Sequence, residues 1–282
     1  ETELERTKNA QALFAKMNEA WKGPRPAPIP VMPQMVALEA MKAAYTCRTR
    51  IPVGIDYEHI RTSYTDLKKD YHLVVSGSIG CGKSRWLNLL IQMIHEKRPE
   101  DKIYIFDSLK ASLDAGEPLA HRYCICDKDE QVGQMLGEIV DMLNVRKRAQ
   151  NQARAVAGDS FDEEGFIQSY EQICIFIDDL KEFVDHVSND NKNAMERICR
   201  LAQGLGVIVF AAGRAADLAK YNEIESLTRV LISHQKGLIL GGTPSLCSFF
   251  NNDLNYDEKG RELKEGEAYL CDQGHFIRIK PV

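Results

Sequence analysis

Gly77-Ser78-Ile79-Gly80-Cys81-Gly82-Lys83-Ser84 fits G-x-x-x-x-G-K-[ST] and follows the apolar run Leu73-Val74-Val75, so the chain must here leave a strand, turn tightly and open a helix. Gly77, Gly80 and Gly82 can take φ > 0 and let successive backbone N–H groups face an anion. A helix beginning near Lys83 adds the positive end of its dipole. Lys83 is then placed to reach the β- and γ-phosphates of ATP, and the Ser84 hydroxyl to ligate Mg²⁺. Ser78, Ile79 and Cys81 complete the expected cofactor-binding loop.

A chain of 282 residues with 44% hydrophobic content can hold one large α/β domain or two small ones around a sizeable core. Its net charge of -5 gives no broad basic footprint for a phosphate backbone, so nucleic acid is not an expected partner. Eight cysteines are scattered, several in apolar runs, and read as reduced thiols of a cytosolic chain. Cys124-Ile125-Cys126 is not a C-x-x-C pair and has no second pair at zinc-site distance, so no metal centre is expected there. No run approaches the ~20 apolar residues that span a bilayer. Glu1-Thr2-Glu3-Leu4-Glu5-Arg6 reads as the middle of a helix, as if cut from a longer protein; membrane attachment would then come through absent N-terminal segments.

Residues 1–20 carry Leu4, Ala10, Leu13, Phe14, Met17 and Ala20 at helical spacing, which predicts an amphipathic helix. Residues 21–33 hold five of the ten prolines and predict an extended linker. The expected organisation is therefore an N-terminal helix and linker over 1–50 and a single domain over 51–282. Ile51–Asp56 and the stretch from Tyr71 to Ser76 read as strands. Leu87, Leu90, Ile91 and Ile94 mark a one-sided helix after the loop. Ile103–Asp107, Ile173–Ile177 and Val207–Ala211 are apolar enough for strands covered on both faces. Between them lie a long helix through Val132–Leu143, whose later Arg146-Lys147-Arg148 reads as a solvated face, an acidic loop at 158–165, and a helix near 191–203. The alternation of strand and helix predicts a mostly parallel sheet. Val230–Ser233 and Leu238–Leu240 read as further apolar strands. Ala268–Cys271 and His275–Ile279 flank Asp272-Gln273-Gly274 as a C-terminal β-hairpin. Thr243–Phe250 concentrates apolar groups; it reads as cover for a sheet edge, with a groove for a partner's helix as the alternative.

A phosphate loop needs a metal-side carboxylate at the carboxyl end of a neighbouring strand. Ile173-Cys174-Ile175-Phe176-Ile177-Asp178-Asp179 supplies it, with Asp178 toward Mg²⁺ and Asp179 beside the attacking water.

On these motifs, together with Gly23–Pro30, Ile51–Asp56 and Ala211-Ala212-Gly213-Arg214, the chain resembles an FtsK/SpoIIIE-type P-loop ATPase domain. Closer still, it resembles the C-terminal ATPase module of the type VII secretion ATPases EssC, YukB and EccC. The resemblance runs from about residue 21 to the end. It implies a RecA-like α/β fold with a mostly parallel central sheet, an added C-terminal hairpin and a hexameric homo-oligomer with nucleotide between subunits. It also implies further ATPase domains in the same chain, a place at the cytoplasmic face of the bacterial membrane, and secreted helical-hairpin proteins as substrates.

The departures from that pattern bear on catalysis. Asp179 stands where active members carry glutamate, and Ala212-Gly213-Arg214 stands for Thr-Gln-Arg. The expectation is good ATP binding and poor hydrolysis, since a misplaced base costs about 10²–10⁴ in rate. Arg214 and Arg229 are the candidates for an arginine offered across a subunit boundary. The competing reading is a double-stranded DNA translocase.

Overall fold

The computed structural model describes residues 3–23, 30–68, 71–202 and 204–282. The centre of the expected linker, residues 24–29, lies outside the described residues. The chain divides into two units, Glu1–Val31 and Met32–Val282.

The first unit contains α1 (Glu3–Ala20), whose first turn places Glu3 and Glu5 at the positive end of the helix dipole. Its apolar Leu13, Phe14 and Met17 are each more than half exposed.

The second unit opens with α2 (Leu38–Ala44), β1 (Arg50–Asp56), β2 (Thr62–Asp66), β3 (His72–Gly77) and α3 (Lys83–Lys97). Next come β4 (Lys102–Asp107), a 3-10 turn (Asp114–Leu119), β5 (Arg122–Ile125), α4 (Asp129–Ala157) and α5 (Glu163–Gln168). They are followed by β6 (Ile173–Ile177), α6 (Leu180–His186), α7 (Asn189–Leu201), β7 (Val207–Arg214), α8 (Ala215–Ile224) and α9 (Ser226–Ile232). The chain closes with β8 (Lys236–Ile239), α10 (Tyr256–Gly260), β9 (Ala268–Asp272) and β10 (His275–Pro281).

Among the described residues the ten strands form one sheet, in the order β2-β1-β10-β9-β8-β3-β7-β6-β4-β5. The run from β8 to β5 is parallel, and β9, β10, β1 and β2 extend it antiparallel. The expected hairpin is thus built into the sheet, joining the parallel half to β1. Gln273 and Gly274 both take positive φ at its turn, the backbone that a two-residue hairpin demands.

Side chains on successive strand positions enter two separate cores. Val74, Ile175 and Val209 face α4, α6, α7, α8 and α9, whereas Leu73, Val75, Phe176 and Phe210 face α2 and α3. With both faces covered, β3 is buried at all six positions, which is why its sequence does not alternate.

Some expectations need correcting. Val230–Ser233 is the end of helix α9 and not a strand, because a four-residue apolar run fits either period. Arg146 is not on a solvated face: it is 3% exposed, donates to the Leu205 carbonyl at 2.8 Å, and lies 3.3 Å from the Glu171 carboxylate. Its guanidinium also sits over the Tyr170 ring. In Thr243–Phe250, Cys247, Phe249 and Phe250 are buried in the core, so the segment covers the sheet as the structural reading holds. β2, which is polar, and β5, only four residues long, carried no readable strand signal.

Candidate functional site

β3 ends at Gly77, and the turn to α3 is made by Gly80 at φ 75° and Gly82 at φ 92°, values that cost a side-chain-bearing residue about 1–2 kcal/mol. Gly77 is required by contact: a Cβ there would sit 2.6 Å from Cys81 Sγ and 3.1 Å from the Gly241 nitrogen. The backbone of Gly241 and Gly242 therefore lies against the loop, near Ser78 and Cys81. Ile79 stands 77% exposed at the loop's tip. Lys83 begins α3, and its ammonium donates to the Ser78 carbonyl at 2.7 Å, inside the loop it is expected to serve.

Asp178 follows β6, two strands away from β3, with β7 between them. Its backbone N–H donates to the Phe106 carbonyl, which aligns it with the end of β4. The Ser84 hydroxyl meets its carboxylate at 3.0 and 3.2 Å, so the two expected metal ligands touch across the intervening strand. Burial pushes the Asp178 carboxyl up to about 6; the neighbouring Asp107 and Asp179 charges add to this, and the Ser84 hydrogen bond opposes it. A magnesium ion fits this donor set, a hydroxyl beside a buried carboxylate crowded by Asp107 and Asp179, with Lys83 as its cationic neighbour. The open, amide-lined turn with Lys83 fits a polyphosphate in the same way.

Asp179 adjoins Asp178 and has a second role. Its carboxylate caps α6, accepting the Lys181 N–H at 3.0 Å. Burial raises its carboxyl too, and the charges felt most are Glu182, Asp217 and Arg214. Near the end of β7, Ala212 is fully buried, and Leu218 packs so close to Gly213 that a Cβ there would lie 2.9 Å from it. No side-chain amide or hydroxyl stands at 212–213. Arg214 is in register with Gly77, half-exposed, and 3.4 Å from Asp217. Arg229 is on α9 and donates to the carbonyls of Asn222 and Glu223 at the end of α8.

Two groups were missed in the sequence. Asp107, fully buried at the end of β4, accepts from the Ser108 and Leu113 N–H groups and from the Tyr123 hydroxyl. Burial raises its carboxyl, and it organises the loop whose Ser108 hydroxyl lies 3.5 Å from Asp178. The signal was present: Ile103–Asp107 is an apolar run closed by aspartate, as Ile173–Asp178 is. The Gly241-Gly242 doublet after β8 was the second. Among the described residues there is no group of three or more His, Cys, Asp or Glu side chains arranged to hold a metal by themselves.

A parallel sheet with a glycine-rich turn, lysine and serine at the carboxyl end of one strand, and an aspartate from another, defines a P-loop ATPase fold. No protein-family model matches the chain. Its homologues are the ESX and type VII secretion ATPases EccC, EssC and YukB, with FtsK DNA translocases as secondary relatives. EccC of Thermomonospora curvata is 25% identical over 97% of this chain and 20% of its own length. A Helicobacter pylori FtsK is 28% identical over 77% of this chain and 25% of its own. The chain thus spans about a fifth to a quarter of these relatives.

Among solved structures, ATPases 2 and 3 of Geobacillus thermodenitrificans EssC superpose with a TM-score of 0.78 at 21% identity, over 100% of this chain and 51% of that one. Thermomonospora curvata EccC ATPases 2 and 3, solved with a signal sequence peptide, give a TM-score of 0.64 at 20% identity, over 94% and 46%. Among the described residues no helix is long and apolar enough to cross a membrane.

Proposed function

We propose that this chain is an ATP-binding, weakly hydrolytic motor-ATPase domain of a type VII protein secretion system that contributes to substrate docking and oligomer assembly. One juxtaposition carries the reading: the Ser84–Asp178 pair and Lys83 are assembled beside the loop, while Asp179 is spent on capping α6 and the 212–213 positions hold no polar side chain. The amides of Gly77–Ser84 and Lys83 would hold the phosphates. Ser84 and Asp178 would hold Mg²⁺. When bound, the metal neutralises charge on the phosphate oxygens. Binding uses groups separate from those that align water, so it survives their loss.

The signal sequence peptide solved with Thermomonospora EccC supports a secreted protein as the partner. The resemblance further supports a hexamer, companion ATPase domains in one chain, and a position at the cytoplasmic face of the membrane. Arg214, half-exposed beside the loop, and Arg229 are the arginines proposed for contact with a neighbouring subunit's nucleotide.

Calorimetry with Mg·ATP should register binding, and Lys83→Ala should abolish it. Turnover should fall below about 1 s⁻¹, under the ordinary 1–100 s⁻¹ of kinases. Turnover within that range would overturn weak hydrolysis, and absence of heat would overturn nucleotide binding. The FtsK relatives favour the DNA-translocase alternative; tight, steeply salt-dependent duplex binding would support it instead.

A further inference from the structure

The second unit carries a cleft at the sheet edge remote from the phosphate loop. Tyr71, Gln172 and Gly206, which immediately precede β3, β6 and β7, line it together with residues of α4, α5 and α7. The phosphate loop leaves the opposite end of β3, and at about 3.3 Å per residue the six-residue strand puts roughly 20 Å between the two. The cavity measures about 1160 Å³.

Its lining is cationic in a protein of net charge -5: Arg48, Lys68, Arg98, Lys147, Arg154 and Arg200 all face it. Four of these are paired: Arg48 with Asp101 at 2.8 Å, Lys68 with Glu164 at 2.5 Å, Arg154 with Glu163 at 2.7 Å and Arg200 with Glu196 at 2.8 Å. The remaining acid of the lining, Glu100, lies 3.6 Å from Arg48.

Arg98 and Lys147 have no ion pair among the described residues. Arg98 donates one Nη to the Thr46 carbonyl at 3.3 Å, and its buried Nε has no partner. Lys147 donates to the Gln150 amide oxygen at 3.1 Å. Gln172 lines the same cleft at 3% exposure, and its carboxamide makes no hydrogen bond to the described residues. A buried guanidinium N–H without a partner is costly, and Arg98 Nε, the exposed Lys147 ammonium and the Gln172 carboxamide can all be served by one ligand that brings negative charge and hydrogen-bonding oxygens.

We propose that this cleft binds a small organic dianion, a phosphate monoester or a dicarboxylate, through Arg98, Lys147 and the Gln172 carboxamide. The proposal stands apart from the nucleotide reading, which concerns the other edge of the sheet.

The cleft contains its own reporter. Cys47 lines it and is exposed, and although burial acts the other way, hydrogen bonds from Thr49 and from the Arg50 N–H hold its thiol below the ordinary value. Such a thiol reacts readily with alkylating agents. Cys81, partly exposed in the phosphate loop, reports that site separately.

The experiment follows iodoacetamide labelling of Cys47 and Cys81 by peptide mass spectrometry on the whole chain, with millimolar ribose 5-phosphate or succinate as probes. Expected is a several-fold slowing at Cys47 with Cys81 unchanged. Protection by ribose 5-phosphate, succinate or both assigns the ester, the dicarboxylate or the shared chemistry. Lys147→Glu should remove the protection while leaving the thermal midpoint and the ligand-free labelling rate unchanged. No slowing at Cys47 by either probe, equal slowing by sodium chloride of the same ionic strength, or protection that persists in Lys147→Glu would overturn the proposal. Slowing at Cys81 alone would report the phosphate loop and count against it too.

Discussion

Asp178 holds its proton to a pH at which an ordinary aspartate has lost it, rising from 3.8 to about 6 because it is buried among like charges. In the metal-free protein folding favours the neutral carboxyl over the ionised one, so its stabilising contribution is complete below about pH 4 and is lost as pH rises through about 6. Asp178→Asn, which imitates the neutral form and can still accept from Ser84, should therefore stabilise the metal-free protein at pH 7 by on the order of 1–3 kcal/mol. The gain should vanish below pH 4, as urea unfolding across that range would show. Asp179→Glu works in two directions at once. The longer carboxylate should raise ATP turnover at least about tenfold, within what a positioned base contributes. Loss of the α6 cap should cost about 0.5–2 kcal/mol, and kinetics and thermal unfolding of the same preparation test both. At this scale the loop, Lys83, Ser84 and Asp178 were legible because each belongs to a contiguous pattern. Asp107 was legible and overlooked. Arg146 was not, since its partners Leu205, Glu171 and Tyr170 lie far along the chain.

Elements covered on both faces announce themselves by apolar runs too dense to alternate, and β3, β4, β6 and β7 were read this way. Short pieces at the edge do not. β2 and β5 take their stability from a neighbouring strand, β1 and β4 respectively, and their own residues need only tolerate the ladder. Segment 226–232 is a helix for a similar reason, since packing against α7 and α8 outweighs the β-branched Val230 and Ile232. β8 carries a sharp packing demand. A Cβ on Gly237 would lie 2.2 Å from Phe250 Cζ and 2.8 Å from the Val74 carbonyl oxygen. Gly237→Ala should thus cost about 3 kcal/mol or more, at the upper end of overpacking effects, read as a lowered unfolding midpoint. A midpoint unchanged from the parent would show that the Phe250 ring does not hold β8 in place.

For the molecule as a whole, the two units make different demands on solvent. Leu13, Phe14 and Met17 of α1 are exposed, whereas residues 32–282 enclose both cores. Removing residues 1–31 should leave the thermal midpoint of the remainder within about 2 °C, a shift corresponding to about 1 kcal/mol for a domain of this size. A larger fall would mean that the first unit contributes to the stability of the second. Residue order alone specified the succession of strands and helices, the phosphate loop, the aspartate after the fourth strand it predicted, and the hairpin, because these are written in local period and in neighbouring letters. Folding in three dimensions decided that β7 lies between β3 and β6 and still lets Ser84 reach Asp178. It also used Asp179 to cap a helix, buried Arg146, and placed Arg98 and Lys147, which form no ion pair among the described residues, in one cleft. Those outcomes depend on which distant segments share a face, and that is set by how side-chain volumes fill two cores at once, which no window along the chain contains.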